Sequence, residues 1–214
     1  MDYLLEFGPY TLFRNILASA SNRRCLVVGA GGELGMVSEY CSSIGVNLSP
    51  DHLKEAKRFQ ADLILCDARR LPLRQSCVDL IVCKSTLHHL GDLSLPLSEW
   101  HRVLRNESLV FLFEPGVLNF IAFLGRKLFP TDIHEPSENP LNPFHLRKAL
   151  TKNFETLNET EFFLFVHMVP LLARYVKIIK NIKFLRLLSN IDTLFCKTYL
   201  KNFSWIMTFT LRKT

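Results

Sequence analysis

The chain has 214 residues, 48% of them hydrophobic and 21% charged. That composition suits one globular domain with a sizeable core and excludes a disordered or fibrous chain. The net charge of +6 allows nucleic acid or an anionic membrane as a partner, and equally a protein that merely carries extra lysines.

Six cysteines, Cys25, Cys41, Cys66, Cys77, Cys83 and Cys196, form neither a CxxC pair nor a zinc ribbon. They read as reduced thiols in a cytoplasmic protein, three of them packed like small core hydrophobes. The N-terminus lacks a basic-then-apolar leader pattern, with Asp2 and Glu6 coming early. The apolar stretch Phe162 to Ala173 is too short to cross a bilayer and contains His167 and Pro170.

In chain order, Tyr10 to Ala20 carries apolar residues at helical spacing. Cys25 to Val28 is a short apolar strand that ends in glycine. Glu33 to Cys41 is a helix, and Ile44 to Leu48 a second strand. Ser49-Pro50 opens the next helix, with serine at the cap and proline in the first turn, ending near Phe59. Leu63 to Cys66, Val78 to Cys83 and Leu109 to Phe113 are further strands, with a helix over Leu95 to Leu104. Short apolar strands alternating with helices predict a parallel sheet covered on both faces. Ligands in such sheets bind at the carboxyl ends of the strands, where strand order reverses.

Beyond Glu114-Pro115-Gly116 the character changes. Val117 to Phe129 is patterned as an amphipathic helix, and Pro130 to Pro143, with four prolines, as a loop. A helix is expected over Phe144 to Lys152 and strands over Phe154 to Phe165 and Ser204 to Arg212. Between those strands lie about 40 residues of apolar and basic helix.

Five segments bear on chemistry. Gly29-Ala30-Gly31-Gly32 follows the first strand, where glycines let the backbone turn sharply and approach a ligand. Asn47-Leu48 ends the second strand, the place where such folds bond a ribose. Asp67-Ala68 follows the third, and its carboxylate can accept from an exocyclic amine. Lys84-Ser85-Thr86-Leu87-His88-His89 follows the fourth. Trp100-His101-Arg102-Val103-Leu104-Arg105 precedes the fifth, which ends in Glu114-Pro115.

In this order, over Arg24 to about Pro115, the segments resemble the class I S-adenosylmethionine-dependent methyltransferases of the methyltransferase-11 type. The resemblance implies that S-adenosylmethionine is the cofactor. It places Gly29, Ala30, Gly31 and Gly32 at the methionine part, Asn47 and Leu48 at the ribose and adenine, and Asp67 and Ala68 at the adenine edge. Lys84 and Ser85 would line the floor, with His88 and His89 at the mouth. The chain departs from the family at Val27 and Asn47, where an acid is usual, and at Glu33, where a third glycine is usual. Arg105-Asn106-Glu107-Ser108 replaces the usual Lys-Pro-Gly-Gly turn.

A rival pattern is GxxGxxG at Gly29, Gly32 and Gly35, the spacing of NAD(P)-dependent short-chain dehydrogenases. Those enzymes use a Tyr-x-x-x-Lys pair, and none of the five tyrosines has a lysine four residues on. A methyltransferase-like binding protein without catalysis is the other alternative. Histidine suits proton transfer near neutral pH, so His88, His89 and His134 are the candidate bases, with His89 and His134 preferred; for each, a merely structural role is the competing reading. No metal site is expected.

The expectation is therefore an α/β fold: a seven-stranded, doubly wound, Rossmann-like methyltransferase sheet in a single domain over 1–214. Residues 1–116 form a cofactor-binding half and 117–214 an acceptor or lid half, with a helical insertion over about 167–200. The function expected is methyl transfer to a small-molecule or lipid-like acceptor. Basic residues recurring through 170–188 read either as lysines in water on a packed helix or as a peripheral membrane contact. Nucleic acid is not favoured, because exposed-looking aromatics do not interleave with the basic residues. The oligomeric state is left open.

Overall fold

A computed structural model describes residues 9–119, 141–162 and 182–214. In chain order the elements are α1 (Pro9–Ser19), β1 (Arg24–Val28), α2 (Glu33–Ser38), β2 (Ser42–Asn47), α3 (Pro50–Ala56) and β3 (Ala61–Leu65). Then come β4 (Val78–Lys84), α4 (Ser94–Val103), β5 (Leu104–Pro115), α5 (Pro143–Leu150), β6 (Glu155–Phe162), α6 (Ile182–Cys196) and β7 (Ile206–Arg212). Short 3-10 turns occupy Leu87–His89 and Tyr199–Phe203.

The seven strands form one sheet in the order β3-β2-β1-β4-β5-β7-β6. β1 to β5 run parallel, while β7 is antiparallel to both β5 and β6. The central strands are apolar on both faces, as a doubly covered sheet requires. Along β1, Leu26 and Val28 join one buried cluster and Cys25 and Val27 the other. β4 and β5 split the same way, with Ile81 and Leu112 on the first face and Val82 and Phe111 on the second. Trp100 of α4 and Leu146 of α5 fill the first layer; Phe13 of α1 and Leu34 of α2 fill the second. Phe13 stacks on Phe111 with ring centroids 5.0 Å apart.

Local chemistry sets the boundaries that matter for the site. Ser49 caps α3 by accepting from the His52 amide, with Pro50 in the first turn. Asn142 accepts from the amides of Phe144 and His145, so Pro143 starts α5 rather than ending the preceding loop. β5 begins five residues earlier than the apolar run Leu109 to Phe113 suggests, because Leu104 already pairs with Val78. Val117 and Leu118 lie in a turn rather than a helix, and Gly116 instead bridges to Leu141. Asn119 is likewise not helical, and residues 120–129 of the helix expected over Val117 to Phe129 lie outside the described residues.

The architecture has one consequence for function. β7 starts beside the end of β5, since Pro115 pairs with Ile206, and β6 ends at the same level, since Phe162 also pairs with Ile206. The carboxyl edge of the parallel strands, the exit of β6 and the entry to β7 therefore share one end of the sheet.

Candidate functional site

A cleft of about 770 Å³ opens at that end, between the tips of β1, β2, β3 and β4. Strand order reverses between β1 and β4, so the cleft lies at the topological switch point. Its volume falls within the range of small-molecule sites.

Gly29 forms the first wall. Its φ is +75°, and a Cβ there would lie 2.0 Å from the Thr86 Oγ1. Both conformation and close approach therefore demand glycine. Ala30 is buried beneath, where its amide donates to the Val46 carbonyl at 2.9 Å. Gly31 donates its amide to Glu33 Oε1 at 2.9 Å. Glu33 itself lines the cleft, so the carboxylate at the usual third-glycine position turns back onto the glycine turn.

The β2 tip supplies Asn47 and Leu48. Asn47 Nδ2 donates to the Ala30 carbonyl at 3.1 Å, and its Oδ1 accepts from the Ser49 amide at 2.9 Å. An aspartate could not make the first of these bonds, so the amide braces the glycine turn against β2. Leu48 is 69% exposed and offers an apolar wall.

After β3, Asp67 and Ala68 line the cleft beside Cys66. The Asp67 carboxylate is held by Arg69, whose Nη2 donates to Oδ2 at 2.6 Å and whose amide donates to Oδ1 at 2.8 Å. These bonds hold the Asp67 carboxyl below its ordinary range. Burial, followed by the Asp67 charge, pushes the Cys66 thiol up.

The turn after β4 forms the floor. Lys84 stands over the rings of Tyr10 and Phe113, at 5.7 and 5.8 Å. Ser85 takes a positive φ of 49°, an uncommon conformation for a residue with a Cβ, while its amide donates to the Phe113 carbonyl.

Glu114, at the end of β5, organises this turn. It is wholly buried, and its Oε1 accepts from the amides of Thr86 and Leu87 at 2.9 and 2.8 Å. Its Oε2 lies 2.6 Å from His88 Nδ1. Burial, reinforced by Glu114, drives the neighbouring Cys83 thiol well above its ordinary value. The His89 ring packs against His88 with centroids 4.0 Å apart and is itself exposed in the cleft.

Eight predicted residues thus meet at the cleft: Gly29, Asn47, Leu48, Asp67, Ala68, Lys84, Ser85 and His89. Ala30, Gly31 and Gly32 do not line it, because the turn faces it through Gly29 and Glu33. His88 corrects the expectation of a histidine pair at the mouth. It is buried, because its Nδ1 is claimed by Glu114 from the strand behind, and only His89 reaches the cleft. His134 lies outside the described residues. Sequence reasoning missed His52, Cys66, Arg69 and Thr86 as wall residues, along with the role of Glu114. For Glu114 a partial signal existed: it directly continues the apolar run Leu109 to Phe113, and a carboxylate buried there needs donors.

A sheet of this order, with an antiparallel seventh strand and a cleft at the switch point, defines the class I methyltransferase architecture. The comparisons agree. Residues 26–112 match the family model described as a methyltransferase domain, of the type numbered 11. An S-adenosylmethionine-dependent methyltransferase of Archaeoglobus fulgidus superposes with a TM-score of 0.67 over 95% of this chain and 91% of its own, at 20% identity. One from Mesorhizobium loti gives 0.68 over 98% and 100%, at 13% identity. The [4+2]-cyclase SpnF gives 0.64 over 95% and 81%, at 16% identity, so the same fold also serves a different reaction. No curated protein sequence matches the chain. The chain thus has the class I methyltransferase fold, and residues 26–112 match the methyltransferase-domain model.

Proposed function

We propose that the protein binds S-adenosylmethionine in this cleft and transfers its methyl group to a small or lipid-like acceptor. The observation that carries the reading is the convergence of the Gly29 turn, the Asn47 tip and the Asp67 carboxylate on one cleft at the switch point. These groups suit the cofactor. Asp67 keeps a lone pair for an exocyclic amine beside its bonds to Arg69, and Leu48 offers an apolar face to a base. The Glu33 carboxylate lines the cleft and offers a counter-charge to an ammonium group, which Val27 cannot.

When bound, S-adenosylmethionine supplies the electrophilic methyl group. The chain's own work is to hold, orient and deprotonate. Gly29 and Thr86 form a close-packed wall, and the Glu114–His88 pair fixes the turn that presents His89. His89 accepts the proton of an oxygen or nitrogen acceptor on its imidazole.

Calorimetric titration tests the reading. S-adenosylmethionine and S-adenosylhomocysteine bind, NADPH does not, and Asp67→Ala weakens the first two about tenfold or more. Binding of NADPH alone would sink the proposal in favour of a dehydrogenase.

One observation favours a second reading, a binding protein of this fold that has lost the cofactor. Glu33 already occupies the Gly31 amide, which a cofactor carboxylate would otherwise use. On that reading the natural chain binds no S-adenosylmethionine, whereas Glu33→Gly does.

A further inference from the structure

A second surface stands apart from the cleft. On α6 the side chains of Leu187, Ile191 and Leu194 are exposed, by 55%, 41% and 65%. The turn that follows continues the pattern with Tyr199, Leu200 and Phe203, of which Tyr199 is 75% exposed. Leu187, Ile191 and Leu194 recur at four and three residues, the spacing of one helix face. The opposite face is buried through Asp192 and Cys196. A run of this length with aliphatic and aromatic side chains in water marks an interaction surface.

The patch has a firm foundation. Arg147 of α5 donates to Glu161 at 2.9 Å and to Asn202 Oδ1 at 2.7 Å. Lys201 lies 3.3 Å from Glu161, and Cys196 Sγ lies 3.2 Å from Ser204 Oγ. The polar side chains of the turn are thus engaged toward the sheet, and Tyr199, Leu200 and Phe203 are left outside.

Charge identifies the occupant. From the start of α6 to the end of the turn, residues 182–203 carry four basic residues, Lys183, Arg186, Lys197 and Lys201, against one acid, Asp192. The segment that carries the apolar face is therefore basic. A basic segment with an apolar helix face, and tyrosine and phenylalanine beside it, fits the headgroup boundary of an anionic bilayer. Nucleic acid would leave the leucines and isoleucine without partners.

Position connects the two surfaces. The turn Tyr199–Phe203 leads into β7 at the end of the sheet where Pro115 pairs with Ile206, and the Gly116 amide donates to the Trp205 carbonyl there at 2.8 Å. This is the end on which the cleft opens.

We infer that the outer face of α6 and its following turn dock on an anionic lipid bilayer, holding the cleft end of the sheet toward the membrane. The contact lies on 187–203, and residues 170–181 of the expected basic helix of 170–188 lie outside the described residues. Docking needs no cofactor, so vesicle binding and titration with S-adenosylmethionine succeed or fail separately.

The test is co-sedimentation of the full chain with vesicles of phosphatidylcholine alone or with about one-third phosphatidylserine. The chain should partition at least about tenfold better onto the anionic vesicles at low salt, and high salt should weaken that partition. Leu194→Glu and Tyr199→Glu should each lower it about tenfold, with thermal unfolding unchanged because both side chains are exposed. Absence of binding to anionic vesicles at low salt would overturn the inference. So would partition that both variants leave intact, or a dimer in ultracentrifugation that Leu194→Glu abolishes while vesicles bind nothing.

Discussion

Replacing Glu114 with alanine should both destabilise the fold and empty the cleft floor of order. The carboxylate is wholly buried and accepts from the Thr86 amide at 2.9 Å, the Leu87 amide at 2.8 Å and His88 Nδ1 at 2.6 Å. Alanine leaves two buried amides without partners, at about 1–3 kcal/mol each. It also strands a buried histidine, and breaking such a pair costs about 3–5 kcal/mol in all. Against a total stability of roughly 5–15 kcal/mol, a loss of that size is large. With a urea m-value of about 2–3 kcal/mol/M, the midpoint should fall by about 1–2 M. Glutamine keeps an oxygen for the two amides and a polar group beside His88 Nδ1, so Glu114→Gln should lose only about 1–2 kcal/mol. Urea unfolding followed by circular dichroism reads both. A Glu114→Ala midpoint within about 0.3 M of wild type would refute the claim that this carboxylate holds the turn.

Other perturbations give distinct outcomes. Gly29→Ala forces a Cβ to 2.0 Å from Thr86 Oγ1 at a φ of +75°, so it should cost at least about 1–3 kcal/mol. Adding Thr86→Ser should leave the variant impaired, since Oγ1 remains, whereas Thr86→Ala should restore part of the loss; equal melting points for the two doubles would argue against the clash. Asn47→Asp removes the donor to the Ala30 carbonyl and should lower stability by about 1 kcal/mol, measurable by denaturant titration. Faster amide exchange at the glycine turn would accompany it. Glu99 is held below the ordinary carboxyl range by its bond from Arg102, with the Leu71 amide at 2.8 Å assisting. Because its folded value is depressed, its contribution is present above the unfolded value and is lost as pH falls through the folded one. The stability gap between wild type and Glu99→Gln should therefore narrow on acidification, and a gap that widens in acid would contradict the sign.

The central fold was legible in the sequence because its signals are local. β1, β4 and β5 are each built on a short apolar run, Cys25 to Val28, Leu80 to Cys83 and Leu109 to Phe113, the pattern of strands buried on both faces. Ser49-Pro50 fixed the start of α3 through a cap that needs no tertiary partner. Asn142-Pro143 carries the same kind of signal, yet a proline-rich context hid it, and α5 begins where a loop was expected to end. The β5 start was also obscured, since Arg105, Asn106 and Glu107 are polar and exposed and gain strand geometry only at the sheet margin.

The candidate site divides in the same manner. Gly29, Asp67 and Ser85 could be found because each lies within two residues of a strand end, and strand ends of a parallel sheet face the ligand. The separate fates of His88 and His89 could not. Adjacent in sequence, they differ because Glu114, 26 residues beyond His88, arrives on the neighbouring strand and captures one ring, leaving the other in the cleft. Asn47 reads as a weakened ribose ligand until the Ala30 carbonyl, 17 residues away, accepts its amide. The sequence by itself determined the strand run, the glycine turn and the set of polar residues at the strand tips, all consequences of short-range pattern. Only the tertiary structure decided which of those residues face the cleft, because hydrogen-bond partners for buried polar groups come from whichever strand lies beside them.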